Sequence, residues 1–255
     1  MANKTNVLGV NIDVITMECA VETVLDFFEE NSVKTIYTVG PEIAMYARKD
    51  AAYAEMLNAG DLVTPDGVGV VYASKLNKTK LTQRVGGCDL CTQLFIKMAE
   101  LGKKAYFLGG APGIAEKAKT NVECDFPGLK IVGVNDGFFY DEKGNIIVEK
   151  EKLIIENINQ LQPDLLLVGT GAPKQERWIS ANKNKLNCRV VIGVGGSLDI
   201  YAGNVKRASK FWVKLNLEWL YRLLSEPRKR LKRQLKLPLF VLAVIGSKIF
   251  KKNRG

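Results

Sequence analysis

Short runs of consecutive apolar residues, rich in β-branched and aromatic side chains, recur along the chain at Val33–Val39, Ala105–Leu108, Lys130–Val134, Asp164–Val168 and Arg189–Val194. None alternates cleanly between apolar and polar, which is the pattern of strands covered on both faces. Between them, apolar positions recur at helical spacing over Thr16–Glu30, Glu42–Leu57, Asp89–Leu101, Ala111–Val122, Glu149–Leu161 and Lys174–Leu186. Strands alternating with helices predict an α/β fold, a doubly wound, mostly parallel, Rossmann-like sheet.

Several of these strands stop in small residues just before a helix. Leu108 runs into Gly109-Gly110-Ala-Pro-Gly, Val168 into Gly-Thr-Gly171-Ala-Pro-Lys-Gln175-Glu, and Val194 into Gly195-Gly196-Ser-Leu-Asp. Glycine lets a ligand approach the backbone, and a following helix N-terminus offers N–H groups to a phosphate. In an open α/β sheet the ligand crevice lies beyond the carboxyl ends of the strands, where these loops fall. The loops point to a diphosphate-bearing ligand. None of them reads G-x-G-x-x-G, and no G-x-x-x-x-G-K-[ST] occurs, so a dinucleotide dehydrogenase and a P-loop NTPase are both disfavoured.

The composition, 47% hydrophobic and 25% charged over 255 residues, is that of a globular chain with one sizeable core. The absence of histidine removes every mechanism built on imidazole, including Ser-His-Asp and Cys-His nucleophiles and His-bearing zinc sites. Five cysteines and an opening without the charged-then-apolar plan of a signal peptide indicate a reducing, cytoplasmic setting. Cys88-Asp-Leu-Cys91 has redox-motif spacing, but a lone pair of this kind reads better as two positions on one helix face. No Asp-x-Asp pair is present to hold a divalent ion against a diphosphate, so no metal or other cofactor is expected.

The net charge of +10 is unevenly placed. Residues 1–205 carry 22 Lys and Arg against 25 Asp and Glu, whereas residues 206–255 carry 15 against 2. This divides the chain into an α/β catalytic domain, 1–205, and a basic helical appendage, 206–255. Within the appendage, Phe211, Trp212, Leu215, Trp219, Leu220, Leu223 and Leu224 interleave with the charges at helical spacing, and Leu237–Gly246 is an apolar block flanked by cations. Ten residues are too few to cross a hydrocarbon core, which takes roughly 20. The segment suits the surface of an anionic membrane, with apolar side chains at the acyl boundary and Lys and Arg among headgroups. An apolar block of this kind is foreign to nucleic-acid tails, and no nucleic-acid partner is expected; docking on another subunit, and with it a homo-oligomer, stays open.

Thr64-Pro65-Asp66-Gly67 is a favoured turn, and Asp66 would make a serviceable N-cap for the apolar helix that Val68 begins. Asp66 also falls between a strand end and a helix, at the edge where the glycine loops lie, with Arg84 following. Around these residues the chain resembles a known family. The runs TPDGVGVV (Thr64–Val71), YFLGGAPGIA (Tyr106–Ala115), PDLLLVGTGAPKQERWI (Pro163–Ile179), GVGGSLDIYAG (Gly193–Gly203) and EWLYRLLSEPRK (Glu218–Lys229) are similar to the WecG/TagA/CpsF glycosyltransferases, over roughly residues 7–233 and in the same order. The likeness is greatest to members of wall teichoic acid linkage-unit synthesis. Those enzymes move N-acetylmannosamine from UDP to N-acetylglucosamine-diphosphate-undecaprenol, forming a β-1,4 bond with inversion and without a metal.

The resemblance implies a catalytic role for Asp66, as the base that takes the proton of the acceptor hydroxyl. It implies that Thr38 and Gln175 line the pocket, that Arg84 lies near the phosphates, and that Arg222, with Arg228 and Lys229 beyond it, closes over the donor diphosphate. It implies a UDP-sugar donor, an undecaprenyl-diphosphate-linked acceptor and a peripheral place on the inner face of the cell membrane. Two departures stand out. Relatives often carry histidine where this chain has Asn135-Asp136-Gly137-Phe138, and Ser209 follows Ala208 where proline is common. Other donors, a uronic acid or a glucose-type sugar, stay open, as does a non-catalytic nucleotide-binding module tethered to a membrane.

Overall fold

A computed structural model describes residues 3–205, 212, 218–225 and 236–252. A hairpin opens the chain, β1 (Lys4–Val7) and β2 (Val10–Asp13), followed by α1 (Met17–Phe28), β3 (Lys34–Val39), α2 (Pro41–Ala47), α3 (Ala51–Asn58), β4 (Leu62–Pro65) and α4 (Val68–Ser74). Then come α5 (Gly87–Leu101), β5 (Lys104–Gly109), α6 (Ile114–Asp125), β6 (Lys130–Asn135), α7 (Val148–Leu161), β7 (Leu165–Gly169), α8 (Lys174–Asn182), β8 (Val190–Gly193) and α9 (Ser197–Tyr201). Beyond residue 205 two further helices are described, α10 (Glu218–Ser225) and α11 (Lys236–Lys252).

The main sheet has the order β4-β3-β8-β7-β5-β6, and every neighbouring pair in it is parallel. The five strands expected from the apolar runs are all present, and a parallel sheet flanked by helices is the fold class the pattern implies. Adjacent residues of each inner strand feed opposite cores. Tyr106, Leu108, Leu166, Val168 and Val191 pack on one side with α2, α3, α4, α7 and α8; Ala105, Phe107, Leu165, Leu167, Val190 and Ile192 pack on the other with α1, α5 and α6. That double burial is why these strands lack the apolar-polar alternation of a half-exposed sheet.

Two local features depart from the sequence reading, and the Cys88–Cys91 pair follows it as two positions on one helix face. The helix expected over Glu42–Leu57 is two helices. Arg48, Lys49 and Asp50 separate them, and Asp50, extended at φ −134°, caps α3 by accepting the Tyr53 N–H. The β1–β2 hairpin turns on Leu8 and Gly9, both at positive φ, without the Asn-Gly signature of such turns. Cys91 is buried in α5 and Cys88 half-buried one turn before it, neither bonded to a second sulfur.

The apolar block Leu237–Gly246 lies inside α11 and is neither free in solution nor wholly buried. Phe240, Ala243 and Val244, spaced i, i+3, i+4, are buried against α2 and α4 of the same chain. Leu239, Val241, Leu242 and Ile245 on the other side are exposed, so the helix is apolar nearly all round while only one stripe is covered. Among the described residues, no helix is long and apolar enough to cross a membrane.

Candidate active site

Because all strands of the sheet run the same way, their carboxyl ends share one edge, and the sequence-selected residues follow the strand order along it. Asp66 comes after β4, Thr38 lies near the end of β3, Gly195 and Gly196 follow β8, Gly171 follows β7, and Gly109 and Gly110 stand at the end of β5.

At Asp66 the N-cap reading fails. The N-cap of α4 is Gly67, at φ +104°, and no side chain caps the helix. The Asp66 backbone is fixed instead by its neighbour strand, its N–H donating to Val39 O at 2.9 Å while Gly40 makes room for its carbonyl. This leaves the carboxylate, 36% exposed, to face Arg84, whose Nε stands 3.5 Å from Asp66 Oδ1. Arg84 is itself held by Asp89, in the first turn of α5, with Nη1 donating to Oδ2 at 2.8 Å. The segment carrying Arg84 is returned to the strand end by Val85, whose N–H donates to Pro65 O. Gly86 closes the cluster: a Cβ there would lie 2.8 Å from Asp66 Oδ1 and 2.7 Å from Arg84 Nη2.

Thr38 is buried beside this cluster. Its hydroxyl donates to Gly193 O at 3.1 Å, tying β3 to the end of β8, and Gly87 packs against its methyl group. Gly193 in turn backs onto Gln175 so closely that a Cβ would fall 2.8 Å from Nε2. Gln175 Oε1 accepts the N–H of Gly195 at 2.9 Å and of Gly171 at 3.2 Å. One buried amide therefore pins the loop after β7 to the loop after β8. Behind it, Gln175 Nε2 donates to Glu176 Oε1 at 2.7 Å, and the Tyr53 hydroxyl donates to Glu176 Oε2 at 3.0 Å. Burial pushes the Glu176 carboxyl above the usual carboxylate range, opposed by the bond from Gln175, and pushes the Tyr53 phenol up as well.

The glycines divide into two kinds. At Gly109 and Gly110 the Cβ direction is filled, by the Gly169 backbone and by Ile114, so their smallness serves the approach of β5 to β7 and of α6 to its loop. At Gly171 and Gly195, both at positive φ, nothing lies within 4 Å, and at Gly196 only a carboxylate oxygen of Asp199 does. The open positions leave the backbone free of neighbouring side chains on that side, as a close approach by a ligand requires.

The structure thus joins Asp66, Arg84, Thr38 and Gln175 into one continuous edge. The Arg222 backbone lies in α10, but its side chain, like all of Arg228 and Lys229, lies outside the described residues. Asp89, Gly86 and Glu176 were not singled out by sequence. Asp89 and Gly86 carried only a positional signal, closeness to Arg84 at the start of a helix, whereas Glu176 sits inside the Gly-Ala-Pro-Lys-Gln-Glu run. Among the described residues, no group of three or more cysteines and carboxylates is placed to hold a metal ion.

The family model for the glycosyl transferase WecG/TagA/CpsF family matches residues 5–254. The chain belongs to this family. It is 36% identical over 219 residues, 86% of this chain and 81% of the other, to the N-acetylglucosaminyldiphosphoundecaprenol N-acetyl-beta-D-mannosaminyltransferase of Bacillus spizizenii. Proteins of the same name are 35% identical in Staphylococcus aureus, covering 96% of this chain and 93% of the relative, and 35% identical in Bacillus subtilis, covering 90% and 88%. Membership makes the chain a glycosyltransferase, and it accounts for the common order of the sequence runs along the sheet edge.

Proposed function

We propose that the chain transfers N-acetylmannosamine from UDP to N-acetylglucosamine-diphosphate-undecaprenol, the acceptor named in its relatives, by a single inverting displacement. The observation that carries the mechanism is the Asp66 carboxylate. It sits at a strand end, unused by its own helix, with Arg84 3.5 Å away. In the displacement, Asp66 takes the proton of the acceptor hydroxyl as that oxygen bonds to the anomeric carbon, and the bond from that carbon to UDP breaks, its electron pair leaving with UDP. The spent carboxylic acid returns its proton to solvent.

Arg84, held by Asp89 beside Asp66, is assigned to answer the diphosphate charge. The open faces of Gly171, Gly195 and Gly196 let the nucleotide diphosphate approach the backbone. Arg222, Arg228 and Lys229 are assigned to close over it from the appendage, with exclusion of water from the donor as the result. Cationic side chains take the place of a metal ion in this scheme. The exposed stripe Leu239, Leu242, Ile245 on α11 is assigned to the anionic membrane surface on the cytoplasmic side, where a polyprenyl-linked acceptor resides.

The test is a transfer assay with the full chain, a short-chain lipid-diphosphate N-acetylglucosamine acceptor and a panel of UDP-sugars. The expected result is preference for UDP-N-acetylmannosamine, and in Asp66→Asn a loss on the order of 10²–10⁴ in turnover with an unchanged melting curve. Near-normal transfer by that variant would remove Asp66 as the base. Preference for a uronic acid or glucose-type donor would reassign the sugar.

A further inference from the structure

Glu176 is an acid with only 1% of its surface exposed, at the third position of α8, and the displacement just described gives it no proton to move. Among the described salt bridges none reaches its carboxylate. Its carboxylate accepts from the Gln175 amide on Oε1 and the Tyr53 hydroxyl on Oε2, with its own backbone N–H as a further donor. Burying a charge at such a place costs free energy that an apolar residue of the same size would not. Its presence calls for a role that an apolar residue could not fill.

That role follows from the chemistry of Gln175. A side-chain amide has one donor end and one acceptor end of nearly equal shape, so its orientation is set by the hydrogen-bonding groups it meets at each end. Glu176 Oε1 accepts from the NH₂ end of Gln175, so the carbonyl end faces the other way. There it meets two backbone donors, Gly171 and Gly195 N–H. Turned over, the amide would place its NH₂ against those two N–H groups and its oxygen against the carboxylate, with no hydrogen bond on either side. Tyr53, reaching across from α3, fixes the second carboxylate oxygen and with it the plane of the whole array.

We infer that Glu176 is a positioning residue, which selects one orientation of the Gln175 amide and through it sets the spacing of the Gly171 and Gly195 loops that receive the sugar-nucleotide donor. The inference rests on the proposed function for the statement that the donor lies at these loops. Glu176 touches no substrate. It acts through Gln175, and its effect falls on donor binding and not on the acceptor hydroxyl, which is the task of Asp66, anchored at the ends of β3 and β4.

The test is a double-mutant cycle on the full chain, with steady-state transfer and with binding of UDP alone by calorimetry. Glu176→Leu leaves the Gln175 amide and the Tyr53 hydroxyl without their acceptor, and Gln175→Ala leaves the Gly171 and Gly195 N–H groups without theirs; each is expected to raise the donor KM about tenfold or more, with the acceptor KM within about twofold of wild type. The double variant is expected to be no worse than the poorer single one, because both changes break the same link. Glu176→Gln keeps an oxygen for Gln175 and offers an N–H to the Tyr53 oxygen, and is expected to stay within about fivefold of wild type. Losses that multiply in the double variant, or a change in kcat with the donor KM untouched, would overturn the assignment.

Should Glu176→Leu melt below the assay temperature, Tyr53→Phe replaces it. That change removes only the hydroxyl on Oε2, and is expected to raise the donor KM about twofold to fivefold and to add nothing in the Gln175→Ala background. An additive effect there would equally overturn the proposal. If the wild-type chain transfers no sugar, the functional reading falls, while UDP affinity still decides this one: joint, non-multiplying losses support it and independent losses refute it.

Discussion

Gly86 offers the sharpest probe of the catalytic corner, because a single methyl group at this residue would disturb the Asp66–Arg84 pair and almost nothing else. Its backbone lies at φ −81° and ψ 146°, which any L residue adopts, so Gly86→Ala introduces no backbone strain. As N-cap of α5, glycine contributes no side-chain bond, and exchanging it for alanine costs about 1 kcal/mol or less of stability. The new Cβ, however, would stand 2.7 Å from Arg84 Nη2, 2.8 Å from Asp66 Oδ1 and 3.0 Å from Arg84 Cζ. To reach an ordinary 3.4 Å contact these atoms must retreat by roughly 0.4–0.7 Å, and misplacement of reacting groups by about 1 Å can cost ~10² in rate. Since the displaced atoms are side-chain ends, they swing aside and the fold survives. The expected result is a fall in kcat of roughly ten- to a hundredfold with a melting temperature within a few degrees of wild type. In an Arg84→Ala background most of the clash is gone, so the same methyl should then add little. The assay is transfer to a short-chain lipid-diphosphate acceptor, with circular dichroism melts in parallel. Wild-type turnover by Gly86→Ala would show that the Asp66–Arg84 geometry does not govern the chemistry.

Burial raises the Glu176 carboxyl above its unfolded value, so between the two values the folded chain holds the extra proton and stability falls as pH rises through that window. Glu176→Gln lacks this titration; the melting temperature of wild type relative to the variant is therefore lowest at neutral pH and climbs as the solution is acidified, and a pH-independent difference would contradict the assignment. Leu239→Glu with Leu242→Glu places two anions on the uncovered stripe of α11, and the expected outcome is a loss of more than about tenfold in affinity for anionic vesicles with the melting curve retained; unaltered sedimentation with vesicles would remove this face from the membrane. EDTA is expected to leave transfer intact, and strict dependence on added magnesium or manganese would refute cationic side chains as the sole counter-charge.

The elements were legible where local pattern decides them. Leu165–Val168 and Val190–Ile192 read as strands because both faces are buried, and the glycine after each marked the edge where the site lies. The strand order was not legible. Placing β8 between β3 and β7 depends on contacts between residues more than a hundred positions apart, such as Ile36 with Ile192, for which one sequence carries no periodic signal. Asp66 was found through its position, yet its freedom from helix capping needed coordinates, because the Pro-Asp-Gly turn suits an aspartate cap equally well until Gly67 is seen at φ +104°. Asp89 escaped notice for a related reason: an acid in the first turn of a helix is common, and only the 2.8 Å bond to Arg84 separates it from its many ordinary counterparts. The apolar block near the C-terminus gave its helix and its hydrophobicity, but which stripe would be covered depended on the shape of α2 and α4.

The two-sided burial of the parallel sheet has an evolutionary consequence. Foldedness is stored in the strand interiors, in residues such as Phe107, Leu167 and Ile192, none of which borders the crevice. In the proposed reading, selectivity for a sugar resides in the few residues beyond the strand tips. The two sets can drift separately, so a descendant could acquire a new donor by exchanging tip residues without renegotiating its core, and divergence in specificity among paralogues should concentrate there.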